Sequence, residues 1–330
     1  MSQEDTKRRI ISDYQNLMEN DELLQNSGIF YQFDDENLYH MTAMLIGPEK
    51  TPYHGGFYFF DITFPPEYPN LPPKFVYHTN YRNIRFNPNL YVNGNVCLSL
   101  LNTWSGAGEG WTPSNNIMAV FISIQGMVLN EYPLINEPGH ENVSYDHKDY
   151  NKVLTHENFY TAVCRMMEHT PAGFQNYTII MKKHFLKNIK MYLNTVSELS
   201  TQYKTTKIFS CGYCSNKVNN EYDSIYKKML SLAAKYSKEL DIPIDLPDTN
   251  SINDNTTSAV SSSATTSATS SAAPSVITMA ASLTTTSATT SATTSEGYPG
   301  QCLGKKVSGV RCNYAGVFDG YCKIHIKQKV

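Results

Sequence analysis

Between Asp254 and Glu296 the chain carries no charged residue, and Ser, Thr and Ala dominate the whole stretch. Such a segment cannot bury enough apolar surface to offset the entropy of ordering it. A disordered linker is therefore expected over 249–297. That expectation divides the chain, because any sizeable core must come from the residues before the linker. The segment after it, 298–330, is too short to support a core of its own.

Composition narrows the classes further. The 330 residues hold 27 Lys plus Arg against 30 Asp plus Glu, a net charge of −3, which gives no electrostatic case for nucleic acid. The longest apolar runs, such as Ile117–Ile122, are too short to span a bilayer. The first ten residues lack the apolar stretch of a secretory signal. The seven cysteines are an odd number, which points to free thiols in a reducing compartment, cytosolic or nuclear.

Periodicity predicts an α+β domain over 1–200. Ile10, Tyr14 and Leu17 share one face of a first helix. Strands are expected at about 29–32, 38–46 and 57–64, with a fourth, 74–77, after a proline-rich bend, giving a four-stranded antiparallel meander. In the third strand aromatic residues alternate with their neighbours from Phe57 to Phe64, the pattern of a half-buried sheet. From Ser114 to Val128 apolar residues recur at three-to-four spacing, so a buried helix is expected there, its N-terminus served by Pro113 with Thr112 or Ser114. Two more helices are read at 157–170 and 172–200, separated at Pro171. The extension 201–248 contains an amphipathic helix over Glu221–Leu240.

One segment carries chemistry. It runs from Arg85 through Asn87-Pro88-Asn89 and Gly94 to Cys97, and on to Thr103-Trp104. Four other segments accompany it in order: Gly47–Phe57 with a Tyr53-x-Gly55-Gly56 turn, Phe64–Lys74 with its prolines, Trp111-Thr112-Pro113, and Leu129–Gly139. Together, over about 5–195, they resemble the ubiquitin-conjugating enzyme family, and Cys97-x-Ser-Leu-Leu-x-Thr103-Trp104 with Asn136-Glu137-Pro138-Gly139 resembles its large-type branch. Each motif is weak alone; five in order at compatible spacing are strong.

The resemblance implies an acyltransferase. Cys97 would accept ubiquitin or a ubiquitin-like modifier as a thioester from an activating enzyme and pass it to lysines of protein substrates, alone or with a ligase, with no cofactor for catalysis. A thiol suits both steps because it attacks well and leaves readily. Asn89 matches the family asparagine that stabilises the oxyanion, or it braces the loop by bonding backbone. Asn87 stands where the family usually has His and is read as a brace. Glu137 is either an acid that orients and deprotonates the acceptor lysine or an ordinary loop carboxylate. Ser99 falls where many relatives have Asp, and the glycine-rich 104–110 is an insertion that either gates the thioester or is a passive loop. Lys7, Arg8 and Arg9 match the face that meets the activating enzyme, or form a solvated basic face. In one ligase-docking loop Asn70 stands where relatives carry an apolar residue, with Leu71 beside it, a departure that bears against ordinary RING-type pairing; Pro113 and Ser114 match the second docking loop.

The remaining cysteines divide. Cys164 is read as a small core hydrophobe. Cys302, Cys312, Cys322 and His325 lie within one short segment and form a candidate Cys3His structural zinc site, against the alternative of a tail with free thiols. Cys211-x-x-Cys214 is a lone pair without the context of a zinc or redox site. Two rival functions share the fold: a ubiquitin-binding adaptor, which would have little use for Cys97, and a cysteine hydrolase, for which no histidine is nominated.

Overall fold

A computed structural model describes residues 2–104, 110–213 and 217–245. The expected linker, the Cys302, Cys312, Cys322 and His325 set, the glycine-rich turn at 105–109 and Cys214 lie outside the described residues.

Helix α1 (Gln3–Glu19) opens with Ser2 as its cap and turns Ile10 and Leu17 inward. Asp13 is buried on the same face, where the Arg9 guanidinium donates to it at 2.9 Å and the Tyr68 hydroxyl also donates. A short α2 (Asp21–Asn26) leads into a meander of β1 (Ile29–Phe33), β2 (His40–Ile46), β3 (Phe57–Thr63) and β4 (Lys74–Tyr77), every neighbouring pair antiparallel. Gly55 makes the turn before β3 with φ +71°, and its carbonyl accepts from the Tyr192 hydroxyl at 2.7 Å. A Cβ at Gly55 would stand 2.5 Å from that oxygen, so only glycine fits.

Strand β3 is buried on both faces over most of its length, which corrects its half-buried reading. Phe57, Tyr58, Phe59, Phe60 and Ile62 are all fully covered. Tyr58 packs against Tyr53 and Phe86, and its hydroxyl donates to Asn158. On the opposite face Phe59 meets Phe174 and Tyr177, and Phe57 meets His184. An aromatic strand with large residues at successive positions needs cover on both sides, and the C-terminal helices supply the second.

After the segment that carries Cys97 come α3 (Ile117–Ser123), continued by a π-helical turn at Ile124–Val128, and then α4 (Tyr145–Glu157). The cap of α3 is Asn116, whose carboxamide oxygen accepts from Ala119 N–H, rather than Thr112 or Ser114. Helix α4 starts twelve residues before the expected position, runs through a π-helical stretch at Asn158–Arg165, and ends as α5 (Met166–Glu168). Its first turns escaped the hydrophobic pattern because several buried positions are polar: His147, His156 and Glu157 are all inaccessible. The second expected helix divides into α6 (Thr178–Lys187) and α7 (Ile189–Gln202).

The segment after α7 forms a small hairpin, β5 (Ile208–Ser210) with β6 (Lys217–Asn219), and then α8 (Tyr222–Leu240). Helix α8 buries Tyr222, Ile225, Met229, Leu232, Ala233 and Tyr236, the stripe its spacing predicts, and the Tyr236 hydroxyl donates to the Met167 carbonyl at 2.8 Å. Its start is fastened by a polar seam. His156 Nε2 accepts from Glu221 N–H at 3.0 Å, which leaves the ring proton on Nδ1, 3.2 Å from Glu157. Arg82 lies 2.6 Å from Glu221 and 3.6 Å from the buried Glu157. Among the described residues no helix is long and apolar enough to cross a membrane.

Candidate active site

Strand β4 runs into a segment almost without repeating structure, and side chains hold it in place of a ladder. Gly94 sits at φ +91°, and its carbonyl accepts from Tyr77 N–H at 2.7 Å, tying the segment to the sheet. A Cβ there would come within 3.1 Å of the Tyr77 carbonyl oxygen. The narrow turn this permits returns the chain, so that Cys97 N–H donates to the Asn89 carbonyl at 2.8 Å.

Asn89 closes the same ring from the other side. Its carboxamide N–H donates to the Cys97 carbonyl at 2.6 Å. Its Oδ1 is buried and has no partner among the described residues. The next peptide is gripped by Thr103, whose hydroxyl accepts from Leu98 N–H at 2.9 Å and donates to the Val96 carbonyl at 2.7 Å. The backbone on each side of Cys97 is thus set by a side chain, while the residue itself stays half-buried with a free thiol.

Asn87 is the hub of this loop and is fully buried. Its amide donates to the Val128 carbonyl at 2.7 Å and to the Tyr53 hydroxyl at 3.0 Å, while its Oδ1 accepts from Asn89 N–H at 2.8 Å. Asn136 Nδ2 reaches the same oxygen at 3.4 Å. One asparagine therefore joins the loop, the turn after α3 and the segment that carries Glu137. An imidazole offers one donor and one acceptor, too few for this set of partners.

Glu137 follows the short 3-10 turn Pro133–Asn136. Its carboxylate accepts from the Tyr213 hydroxyl at 2.8 Å. Burial, then that hydrogen bond to a carboxylate, push the Tyr213 phenol well above its ordinary value, so it stays protonated and remains a donor. The Tyr213 ring also lies against Tyr150 and His140, and the Arg85 guanidinium sits 5.8 Å from its centroid. Arg85 in turn donates to the Pro88 carbonyl at 2.5 Å and covers the Tyr91 ring.

Ser99 opens a 3-10 turn ending at Asn102, which has φ +53° and accepts from Trp111 N–H at 2.9 Å. Asn102 and Trp111, on either side of 105–109, are thus joined directly. Trp111 donates from Nε1 to the Pro69 carbonyl at 2.6 Å, and Arg9 donates to the Pro113 carbonyl at 2.6 Å and to the Asn115 carbonyl. The loops holding Asn70, Leu71, Pro113 and Ser114 are thus drawn together beside α1, and these four residues are exposed. The basic face of α1 is narrower than expected, because Arg9 is committed to internal contacts while Arg8 remains exposed.

Cys164 is buried in the core, and desolvation pushes its thiol far up, as expected of a cysteine acting as a small hydrophobe. Cys211 is disulfide-bonded, which corrects the expectation of free thiols throughout. Among the described residues no group of His, Cys, Asp or Glu is arranged to hold a metal. Sequence reasoning missed Tyr53, Thr103, Arg85 and Tyr213. Thr103 and Arg85 bond within seven positions, inside the motif segment itself; Tyr53 and Tyr213 act across 33 and 76 positions and had no local signal.

The comparisons with known proteins agree with this geometry. The family model described as ubiquitin-conjugating enzyme matches residues 9–170. Ubiquitin-conjugating enzyme E2 Z of Danio rerio is 39% identical over 174 residues, covering 52% of this chain and 52% of that protein. The Homo sapiens E2 Z is 41% identical over 168 residues, covering 50% of this chain and 47% of its own. The chain spans about half the length of the curated relatives it matches. Residues 9–170 of this chain therefore form a domain of the ubiquitin-conjugating enzyme family, with further sequence C-terminal to it.

Proposed function

We propose that the chain takes ubiquitin or a ubiquitin-like modifier from an activating enzyme as a thioester on Cys97 and transfers it to lysines of protein substrates, alone or with a ligase. The observation that carries this reading is the free, half-buried Cys97 thiol, held between Asn89 and Thr103 on a scaffold that matches the family over residues 9–170. In the first step the Cys97 thiolate attacks the donor thioester carbonyl, a new S–C bond forms, and the activating enzyme's thiolate leaves. In the second a lysine amine attacks that carbonyl, gives up a proton to a base, and Cys97 leaves as thiolate. A thioester keeps the acyl group reactive between the two steps, which an ester would not.

Asn89 serves as the brace in the resting loop, because its amide N–H is engaged by the Cys97 carbonyl. The carboxamide nitrogen carries a second N–H, which can serve the oxyanion without that bond opening. Glu137 is the base or orienting acid for the amine, next to Asn136 and so linked to the Cys97 loop through Asn87. Arg8 is free to meet the activating enzyme, and the exposed Leu71 and Pro113 loops offer the ligase surface. The Cys302, Cys312, Cys322 and His325 set extends the proposal to a structural zinc, on the strength of ligand type and number alone; metal content of the full chain before and after Cys312→Ser tests it.

Incubation with activating enzyme, ATP and a panel of modifiers tests the main reading. Expected is one adduct that dithiothreitol removes and that Cys97→Ala lacks, while Cys97→Ser gives a reductant-resistant ester. A folded protein that binds modifier without ever forming an adduct would be an adaptor instead.

A further inference from the structure

We infer that Tyr213, which lies well beyond the family-matched span, is a positioning residue for transfer: its hydroxyl holds the Glu137 carboxylate in place beside the Cys97 loop. The inference deepens the reading above and rests on it. Three observations meet at this side chain. Its hydroxyl donates to Glu137 Oε2 at 2.8 Å. Its ring packs on Tyr150 and His140, with centroids 5.4 and 5.8 Å away, so the hydroxyl is aimed by aromatic contacts on two sides. The same ring backs Arg85, which donates to Pro88 within the Asn87-Pro88-Asn89 turn, and the Tyr150 hydroxyl donates to the Arg85 carbonyl at 2.6 Å.

Tyr213 therefore touches both segments that flank the thioester loop, the turn before it and the acid after it. A free glutamate samples several rotamers, and fixing it costs entropy at the moment an amine arrives. A half-buried hydroxyl held by ring contacts removes that cost in advance. The residue comes from the stretch between α7 and α8, so the C-terminal extension completes a site the family-matched domain begins.

The test uses the full chain, charged with activating enzyme, ATP and ubiquitin. Thioester formation and discharge to free lysine are timed separately for the wild type, Tyr213→Phe, Glu137→Gln and the double variant. Tyr213→Phe keeps the ring contacts and removes only the hydroxyl. We expect loading within about twofold of wild type, and discharge roughly tenfold slower, as for loss of one hydrogen bond to a charged group. The double variant should discharge no more slowly than Glu137→Gln alone, because Tyr213 acts through that carboxylate. Unchanged discharge in Tyr213→Phe, or discharge faster than wild type, overturns the inference. So does slowing of loading and discharge in parallel, or slowing that multiplies in the double variant, since either makes Tyr213 a general brace. A wild-type chain that never loads brings down the proposed function itself, a result separable from all of these.

Discussion

The loop around Cys97 and the seam beneath α8 are both held by polar side chains, yet they do so in different ways. In the loop, neutral carboxamides and a hydroxyl bond the backbone: Asn87, Asn89 and Thr103 each satisfy groups that a strand would have paired. In the seam, charges meet aromatic faces. The Arg82 guanidinium lies 3.5 Å from the Tyr160 ring centroid and pairs with Glu221, while His156 sits among Phe209, Tyr160 and Tyr222. Neutral carboxamides fix a geometry without placing a charge beside a nucleophile. Charges and rings dock one element onto another, and here they fasten the extension to the domain that carries the site.

The comparison breaks most sharply at Asn87. Asn87→Ala takes their side-chain partner from the Val128 carbonyl and the Asn89 N–H, leaves the Tyr53 hydroxyl only its bond to the Phe86 carbonyl, and should cost about 4 kcal/mol. Thermal unfolding should show it, with loading of Cys97 falling in parallel. Asn87→His, the residue common in the family, should recover only part of the loss.

Arg82→Met addresses the seam. It leaves Glu157 buried with its ring and hydroxyl partners but no cation, and should cost about 2–3 kcal/mol, toward the low end for broken buried pairs because Arg82 keeps some solvent. Denaturant unfolding measures it. If the seam only docks the extension, loading at Cys97 should change far less than in Asn87→Ala.

Acid sharpens the contrast elsewhere. Burial, then the charges of His54 and Lys187, lower His184 to about 4 from the usual 6.5. The folded state therefore binds this proton less readily than the unfolded chain, so its contribution is full above pH 6.5 and is lost as pH falls from 6.5 towards 4. The loss should be on the order of 2 kcal/mol and should flatten in His184→Gln. His40 runs the other way. Burial opposes its charge, but hydrogen bonds to Asp61 and Asp34 raise it overall, so its contribution is full at low pH and fades as pH rises through that raised value. Melting curves of His40→Gln across pH 5 to 8 check the sign.

The smallest expected effect is Thr103→Val. It removes the hydroxyl that Leu98 N–H and the Val96 carbonyl share, costing about 1–2 kcal/mol. Because Thr103 touches the peptide beside the nucleophile, loading should slow more than the stability loss alone explains.

The sequence showed the strands, the first helix and the stripe of α8 because each depends on a short repeat that solvent and core enforce locally. It failed at α4, where His147, His156 and Glu157 occupy buried positions that a hydrophobic pattern reads as surface. It failed again at the cap of α3, where Asn116 prevailed over the neighbouring Thr and Ser. Cys97, Asn89 and Glu137 were legible as motif residues, but their partners were not. Asn89 and Cys97 are eight positions apart and meet through one turn, whereas Tyr213 and Glu137 are 76 apart and meet only once the segment after α7 is packed on α4, where Tyr213 lies against Tyr150.

What the sequence determined by itself was the first helix, the four-stranded meander and the motif around Cys97, the candidate nucleophile, since residue type and spacing are properties of the chain. Tertiary structure alone decided which side chains hold that nucleophile, and that a tyrosine from the extension reaches its neighbouring acid. Hydrogen bonds act over about 3 Å, and no local pattern records which distant residues folding will bring that close.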